Sequence, residues 1–154
     1  MDDIRAYFRV DEHLATSGQP TAEQFAGIAA AGYSLVINLA LPTSSHAVAN
    51  EQEIVESLGM EYAHIPVSWE EPQLEDLYRF FDVMQAAQAQ KVWVHCALNM
   101  RVSCFVYLYQ SMVLGLPEER AAYPMSEIWQ PDGAWEALIH AAKSRLGMQP
   151  DSQD

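Results

Sequence analysis

Short apolar runs rich in β-branched residues alternate with longer amphipathic segments along this chain, and this alternation limits the folds that it can adopt. The runs at residues 34–40, 61–67 and 91–95 read SLVINLA, EYAHIPV and KVWVH. Apolar runs of this length, bounded by turns, are typical of strands that are buried in a parallel sheet. The pattern therefore predicts an α/β fold with a mostly parallel central sheet flanked by helices.

Helices are predicted between these strands by capping signals and by 3.6-residue periodicity. Thr21 and Gln24 have the spacing of a capping box, which predicts a helix from about residue 22 to residue 31 that stops at Gly32. The same reasoning predicts a short hairpin at residues 5–15 and further helices at residues 46–59, 72–88, 101–114, 116–124 and 131–147.

The composition is that of an ordinary globular protein, with half of the 154 residues hydrophobic. This length predicts one domain, over residues 1–147, and the polar residues 148–154 are expected to form a loose tail. The first residues, MDDIRAYFRV, have no apolar segment typical of a secretory signal, and no run is long enough to cross a membrane. We therefore expect a cytoplasmic protein.

Charge and cysteine content exclude several classes of function. The formal net charge is −13, from 8 Lys and Arg against 21 Asp and Glu, and this charge repels nucleic acid and anionic membranes. The two cysteines, Cys96 and Cys104, are too few for a disulfide framework and are expected to be reduced. No HxxxH or CxxC pair occurs, so neither a metal site nor a cofactor is predicted. The oligomeric state is left open.

The segment HCALNMR carries the strongest chemical signal. The strand at residues 91–95 ends at His95, Cys96 follows, and Arg101 opens the next helix. A helix N-terminus presents unpaired N–H groups and a partial positive charge, which stabilise both a thiolate and a bound phosphate. In parallel sheets the reactive site lies at the carboxyl ends of the strands. We therefore predict a phosphate-binding loop formed by Cys96, Ala97, Leu98, Asn99, Met100 and Arg101.

Three stretches of the chain match a known family in order and spacing. They read LATSGQPTAEQFAGIAAAGYSLVINLA, LGMEYAHIPV and VHCALNMRVSCF, and together they span roughly residues 10–115. In these stretches the chain resembles the cysteine-based dual-specificity and protein tyrosine phosphatases, and more narrowly a bacterial branch of small phosphatase-like domains. The resemblance implies the cysteine-phosphatase fold and hydrolysis of phosphate monoesters, with a phosphorylated small molecule or a phosphoprotein as substrate.

The resemblance also implies a role for each matching residue. Cys96 matches the nucleophile, which would form a phosphocysteine intermediate, and His95 matches the histidine that supports the thiolate. Ser103 matches the hydroxyl residue that assists breakdown of the phosphoenzyme. Asn99 stands where the family has a glycine with positive φ, a conformation that asparagine tolerates. Arg101 and the N–H groups of the loop would stabilise the transition state.

Two departures from the family concern the arginine and the general acid. Four residues separate Cys96 from Arg101, whereas the family has five, and Val102 occupies the family's arginine position. One residue is about 100° of helix rotation, so Arg101 reaches the phosphate if the loop is remodelled and otherwise points away. The family's acid is an aspartate from the loop after IPV. Here that loop reads SWEEPQ, so Glu70 or Glu71 is the candidate proton donor.

Two alternative functions are compatible with these residues. The shortened loop and the missing aspartate are compatible with a relative that binds phosphate or a phosphoprotein without turnover. A cysteine in a loop after a parallel strand also occurs in rhodanese-like sulfurtransferases, although these usually have basic residues in the loop, where this chain has the neutral ALNM. Trp69, beside the candidate acids, is expected either to pack in the core or to line a substrate pocket.

Overall fold

Five strands form one sheet in the computed structural model, which describes residues 3–147 and side chains as far as residue 144. The sheet order is β1-β2-β5-β3-β4, with β1 antiparallel to β2 and all other neighbours parallel. The strands are β1 (Phe8–Arg9), β2 (Leu14–Ser17), β3 (Leu35–Asn38), β4 (Glu61–His64) and β5 (Val92–His95). The predicted α/β fold with a mostly parallel sheet is therefore confirmed. The predicted tail lies outside the described residues.

Seven α-helices occur within residues 3–147, and none of them is long and apolar enough to cross a membrane. A π-helical turn, Tyr109–Val113, continues the fourth helix. The helices are α1 (Ala22–Ala30), α2 (Glu51–Ser57), α3 (Leu74–Ala86), α4 (Met100–Leu108), α5 (Glu118–Ala121), α6 (Met125–Ile128) and α7 (Gly133–Gly147).

Element boundaries follow the local hydrogen bonding, which corrects some predicted ranges. The capping box of α1 forms as predicted, since the Thr21 side chain accepts from the Gln24 N–H and the Gln24 side chain accepts from the Thr21 N–H. The predicted helix at residues 46–59 is wrong in its first part, because His46 has a φ of 65° and the helix begins at residue 51. The predicted strand at residues 61–67 ends at residue 64.

Both faces of the sheet are covered by helices, as the apolar strands predict. Along β5 the side chains alternate: Val92 and Val94 join the core on one face, whereas Trp93 joins the core on the other. The first face packs against α3, α4 and α7, and the second face packs against α1 and α2. Helix α4 lies deepest, because every side chain from Arg101 to Leu108 is buried.

The carboxyl ends of the four parallel strands lie in register along one edge of the sheet. Ser17 is paired with His95, His95 with Asn38, and Asn38 with His64. The chain therefore leaves each of these strands at the same edge, and the segments that follow them meet there. This is the edge at which ligands bind in parallel α/β sheets.

We predict that Phe80→Ala lowers the free energy of unfolding by about 3–5 kcal/mol. The Phe80 ring on α3 is fully buried and contacts the rings of Phe105 and Tyr109, with centroids 5.6 Å and 6.2 Å away. Urea unfolding of the two proteins measures the difference. The matched control is Asp82→Ala, on an exposed position of the same helix, which should change stability by less than about 0.5 kcal/mol. Equal effects of the two substitutions would contradict the described packing.

Candidate active site

Cys96 lies at the carboxyl end of β5 and lines a small cavity of about 150 Å³. The thiol is almost fully buried, with 1% of the residue exposed. The other residues that line the cavity come from the loop after Cys96 and from the segment after β4, and they are Trp69, Ala97, Leu98, Met100 and Arg101. Of the six residues of the predicted phosphate-binding loop, all but Asn99 therefore line one cavity.

Arg101 is directed into this cavity in spite of its early position. Helix α4 begins at Met100, so Arg101 lies in the first turn of the helix, and its side chain is buried. Its Nη1 donates to the Val67 carbonyl over 3.0 Å, and its Nη2 donates to Ser44 Oγ over 3.4 Å. A guanidinium carries five N–H donors, so these two bonds leave donors for an anion in the cavity. Val102 packs in the core instead.

The Cys96 loop is anchored to the segment that follows β2. The Ala97 carbonyl accepts from the Gln19 N–H over 3.0 Å, and a Cβ built on Gly18 would lie 2.5 Å from the same carbonyl oxygen. Ser17 orients the backbone of Gly18, since its Oγ donates to the Gly18 carbonyl and accepts from Trp93 Nε1. The SGQP motif therefore holds the loop in place, a role that sequence reasoning did not assign to it.

Asn99 does not line the cavity but sets the conformation of the loop at its turn. It adopts a φ of 69°, the left-handed conformation expected at the family's glycine position. Its Nδ2 donates to the Ala6 carbonyl over 2.9 Å and to Thr16 Oγ1 over 3.0 Å, so it connects the loop to the N-terminal segment and to β2. The side chain is fully buried.

Behind the loop, His95 forms a buried pair with Glu51, a residue that sequence reasoning missed. His95 Nε2 lies 2.6 Å from Glu51 Oε2, and both residues are buried. Gln19 Nε2 donates to Glu51 Oε1 over 2.8 Å, and the Tyr62 hydroxyl donates to Glu51 Oε2 over 3.1 Å. Burial raises the pKa of Glu51, but the hydrogen bond and charge of His95, together with the bonds from Gln19 and Tyr62, leave the pKa below its ordinary value.

No local signal in the sequence marks Glu51 as part of the site. It lies at the first position of α2, where a glutamate is common because it interacts favourably with the helix dipole. Its contact with His95 joins residues 44 positions apart, which only the tertiary structure brings together.

Ser103 lies beneath the loop in the first turns of α4. Its hydroxyl donates to the Met100 carbonyl over 2.7 Å and accepts from Trp129 Nε1 over 2.9 Å. Trp129 belongs to a cluster with Trp69 and Trp135, whose ring centroids lie 5.4–6.5 Å apart. Trp135 Nε1 also donates to the Trp69 carbonyl. This cluster therefore ties the segment after β4 to the C-terminal helices and holds Trp69 where it lines the cavity.

The candidate proton donors Glu70 and Glu71 are both exposed, and neither lines the cavity. The Glu71 N–H donates to Ser68 Oγ, which shapes the turn before α3. The residues lining the cavity in the described part of the chain include no carboxylate. The structure therefore brings Cys96, Arg101 and the loop together and leaves the two glutamates exposed and outside the cavity lining.

Comparisons with known proteins identify the family and the fold of this chain. The model of the family described as DSP-PTPase phosphatase fused to NAD+ kinase matches residues 8–133. A DUF442 protein of Shewanella putrefaciens CN-32, described as a candidate phosphatase, is 33% identical with a TM-score of 0.83, over 94% of this chain and 95% of its own. A comparison with curated protein sequences found no significant match.

Two more distant structures, each 17% identical to this chain, share the fold. A variant of P. aeruginosa TpbA in complex with pTyr has a TM-score of 0.63, over 90% of this chain and 80% of its own. PTPMT1 in complex with PI(5)P has a TM-score of 0.74, over 91% of this chain and 98% of its own.

We predict that Gly18→Ala lowers the free energy of unfolding by about 1–3 kcal/mol, because the new methyl group overlaps the Ala97 carbonyl and forces the backbone apart. The matched control is Gly27→Ala on α1, where a Cβ meets no atom within 4 Å. This second substitution should stabilise the protein by about 0.4–1 kcal/mol, since alanine restricts the unfolded chain. Thermal or urea unfolding checks both values, and stabilisation by Gly18→Ala would contradict the described contact.

Proposed function

Because the chain belongs to the family described as DSP-PTPase phosphatase fused to NAD+ kinase, we propose that it hydrolyses phosphate monoesters through a Cys96 phosphoenzyme. The observation that carries this proposal is that Cys96 and Arg101 line the same cavity although only four residues separate them. A thiol and a guanidinium that share a cavity at a helix N-terminus are suited to a tetrahedral dianion.

The reaction follows from these groups in two steps. In the first, the Cys96 thiolate attacks phosphorus, an S–P bond forms, and the ester P–O bond breaks as the leaving oxygen takes a proton. In the second, water attacks the phosphocysteine, the S–P bond breaks, and inorganic phosphate and the thiolate are released. Arg101 and the N–H groups at the start of α4 would hold the phosphoryl oxygens in both steps. A free thiol persists most readily in a reducing compartment, which favours the cytoplasm as the location of this activity.

The remaining site residues take proposed roles that their positions allow. His95 supports Cys96 from behind the loop. Ser103 assists breakdown of the phosphoenzyme after its hydroxyl rotates away from the Met100 carbonyl. Glu70 or Glu71, in the exposed segment after Trp69, protonates the leaving oxygen of a bound substrate that extends beyond the cavity.

Leaving-group chemistry and the cavity rim favour phosphate esters of phenols. With no carboxylate among the described cavity-lining residues, a substrate whose leaving oxygen needs little protonation reacts best. Trp69, Leu98 and Met100 form an apolar rim on which an aromatic ring can pack. Of the two ligands bound by the distant structures, pTyr fits these features. PI(5)P, an anionic lipid phosphate, fits less well with a net charge of −13.

We predict that the protein hydrolyses p-nitrophenyl phosphate at mildly acid pH and that Cys96→Ser reduces the rate to background. Arg101→Ala should lower kcat by about 10²- to 10³-fold, because it removes donors to the transition state. The matched control is Arg79→Ala on α3, an exposed arginine paired with Asp76, which should have no effect. Release of p-nitrophenol is followed by absorbance.

If the wild-type protein releases no p-nitrophenol, two further measurements distinguish the phosphate-binding function from sulfur transfer. Phosphate or vanadate binding without turnover in the wild-type protein would replace the proposal by a phosphate-binding function. A persulfide on Cys96 after incubation with thiosulfate, detected by mass spectrometry, would replace it by sulfur transfer. The matching family model and the DUF442 relative are both described as phosphatases, which does not favour sulfur transfer.

We predict that kcat/KM for phenyl phosphate exceeds that for glycerol phosphate by about 10²-fold or more, since a positioned general acid contributes about 10²- to 10⁴-fold to loss of a poor leaving group and neither Glu70 nor Glu71 lines the cavity. Trp69→Ala should raise KM for phenyl phosphate by roughly two- to tenfold with little change in kcat. The matched control is Leu114→Ala, a similarly exposed apolar residue that does not line this cavity.

The same kinetic series tests the glutamates. Glu70→Gln and Glu71→Gln, measured on both esters, identify the proton donor as the residue whose loss lowers kcat for glycerol phosphate more than for phenyl phosphate. Equal rates on the two esters in the wild-type protein would contradict the proposed preference.

A further inference from the structure

His95, the residue that precedes Cys96, forms a buried pair with Glu51, and the proposed reaction assigns no role to Glu51. His95 is fully buried, and its ring lies near Phe25 of α1 and Glu51 of α2. Its Nε2 faces the Glu51 carboxylate at 2.6 Å, and its Nδ1 faces the Cys96 carbonyl at 3.2 Å. Both partners are acceptors of hydrogen bonds, so a ring that carries protons on both nitrogens satisfies both contacts.

Glu51 is held as a carboxylate by the groups around it. Two donors besides His95 bond to its oxygens, the amide of Gln19 and the hydroxyl of Tyr62. Tyr62 is itself oriented by Asn38 Nδ2, which donates to its hydroxyl over 3.0 Å. The position of Glu51 at the start of α2 adds the favourable field of the helix dipole. These contacts agree with the lowered pKa of Glu51.

The other groups near His95 do not replace this interaction. The ring of Phe25 on α1 lies 6.0 Å away and is uncharged, and the paired ends of β2 and β3, Ser17 and Asn38, are neutral. On the far side of Cys96, Arg101 is the cation that lines the cavity, and Cys104 is a buried thiol whose pKa is raised by burial and by Cys96. Glu51 is therefore the anion in hydrogen-bond contact with His95.

Stability alone gives little reason for such a pair. Removing a histidine and a glutamate from water costs free energy that their attraction repays only in part, and apolar side chains of similar size often stabilise a core equally well. The pair instead places a ring whose two nitrogens both face acceptors next to Cys96, the residue that must lose its proton in order to react. A neighbouring cation stabilises a thiolate, and this effect is large where water is excluded.

We propose that Glu51 is a positioning residue that holds His95 in its doubly protonated form behind Cys96, so that the thiolate is populated at mildly acid pH. Glu51 does not touch the substrate and acts through His95. As a part of catalysis this inference rests on the proposed phosphatase function, but the state of the Cys96 thiol can be measured without turnover.

The experiment is alkylation of Cys96 by iodoacetamide over a series of pH values, from mildly acid to mildly alkaline. Trypsin cleaves after Arg101 and separates Cys96, in peptide 92–101, from Cys104, so mass spectrometry follows each thiol by itself. In Glu51→Gln the pH midpoint of Cys96 alkylation should rise by about one unit or more, which is about tenfold less thiolate below the midpoint.

The matched control is Glu53→Gln. It removes the same charge from the same turn of α2, but Glu53 is exposed and has no contact with His95, so the midpoint should stay at the wild-type value. Glu51→Asp keeps the charge at a greater distance and should give an intermediate midpoint. In a His95→Asn background, Glu51→Gln should add no further shift, because the effect passes through the ring.

Thermal unfolding first establishes that each variant is folded, and Glu51→Asp replaces Glu51→Gln in the comparison if the latter does not fold. A wild-type midpoint in a folded Glu51 variant, or an equal shift in Glu53→Gln, would overturn the proposal. Phosphate release measured on the same samples separates the two inferences. A shifted midpoint without turnover in the wild-type protein refutes the phosphatase function alone, and turnover with an unshifted midpoint refutes the role of Glu51 alone.

Discussion

The contact between Gly18 and the Ala97 carbonyl is the constraint on which the site depends. The two strands β2 and β5 run parallel and end in register, so the segments that leave them are adjacent. Because residue 18 has no side chain, the Ala97 carbonyl can accept from the Gln19 N–H. A carbonyl bonded in this way is directed toward residues that do not line the cavity. The loop therefore does not present this acceptor to an anion, and the N–H groups at the start of α4 stay available.

Gln19 connects this anchor to the charged residues behind the loop. Its backbone holds the Ala97 carbonyl, and its side chain donates to Glu51, which in turn faces His95. One short segment after β2 thus supports the loop from outside and the histidine from behind. A disturbance at this segment would reach both the shape of the cavity and the charge beside Cys96.

The shortened loop shows how a change of one residue can be accommodated. Helix α4 begins at Met100, and Arg101 is its second residue. The long side chain of Arg101 reaches the Val67 carbonyl and Ser44. Val102 takes the next position and packs in the core, where a charged side chain would be costly. Sequence spacing alone left two directions open for Arg101, because helix rotation per residue does not specify where a flexible side chain ends.

The sequence by itself determined the layered α/β fold, the capping box of α1 and the position of Cys96 at a strand end, because each depends on local patterns of polarity and backbone preference. The left-handed turn at Asn99 followed from the resemblance to the family. The tertiary structure decided the rest. The direction of Arg101, the exposed positions of the candidate acids and the pairing of Glu51 with His95 all depend on contacts between residues far apart in the chain. Such contacts form only when the strand ends are aligned at one edge of the sheet, and no local pattern encodes them.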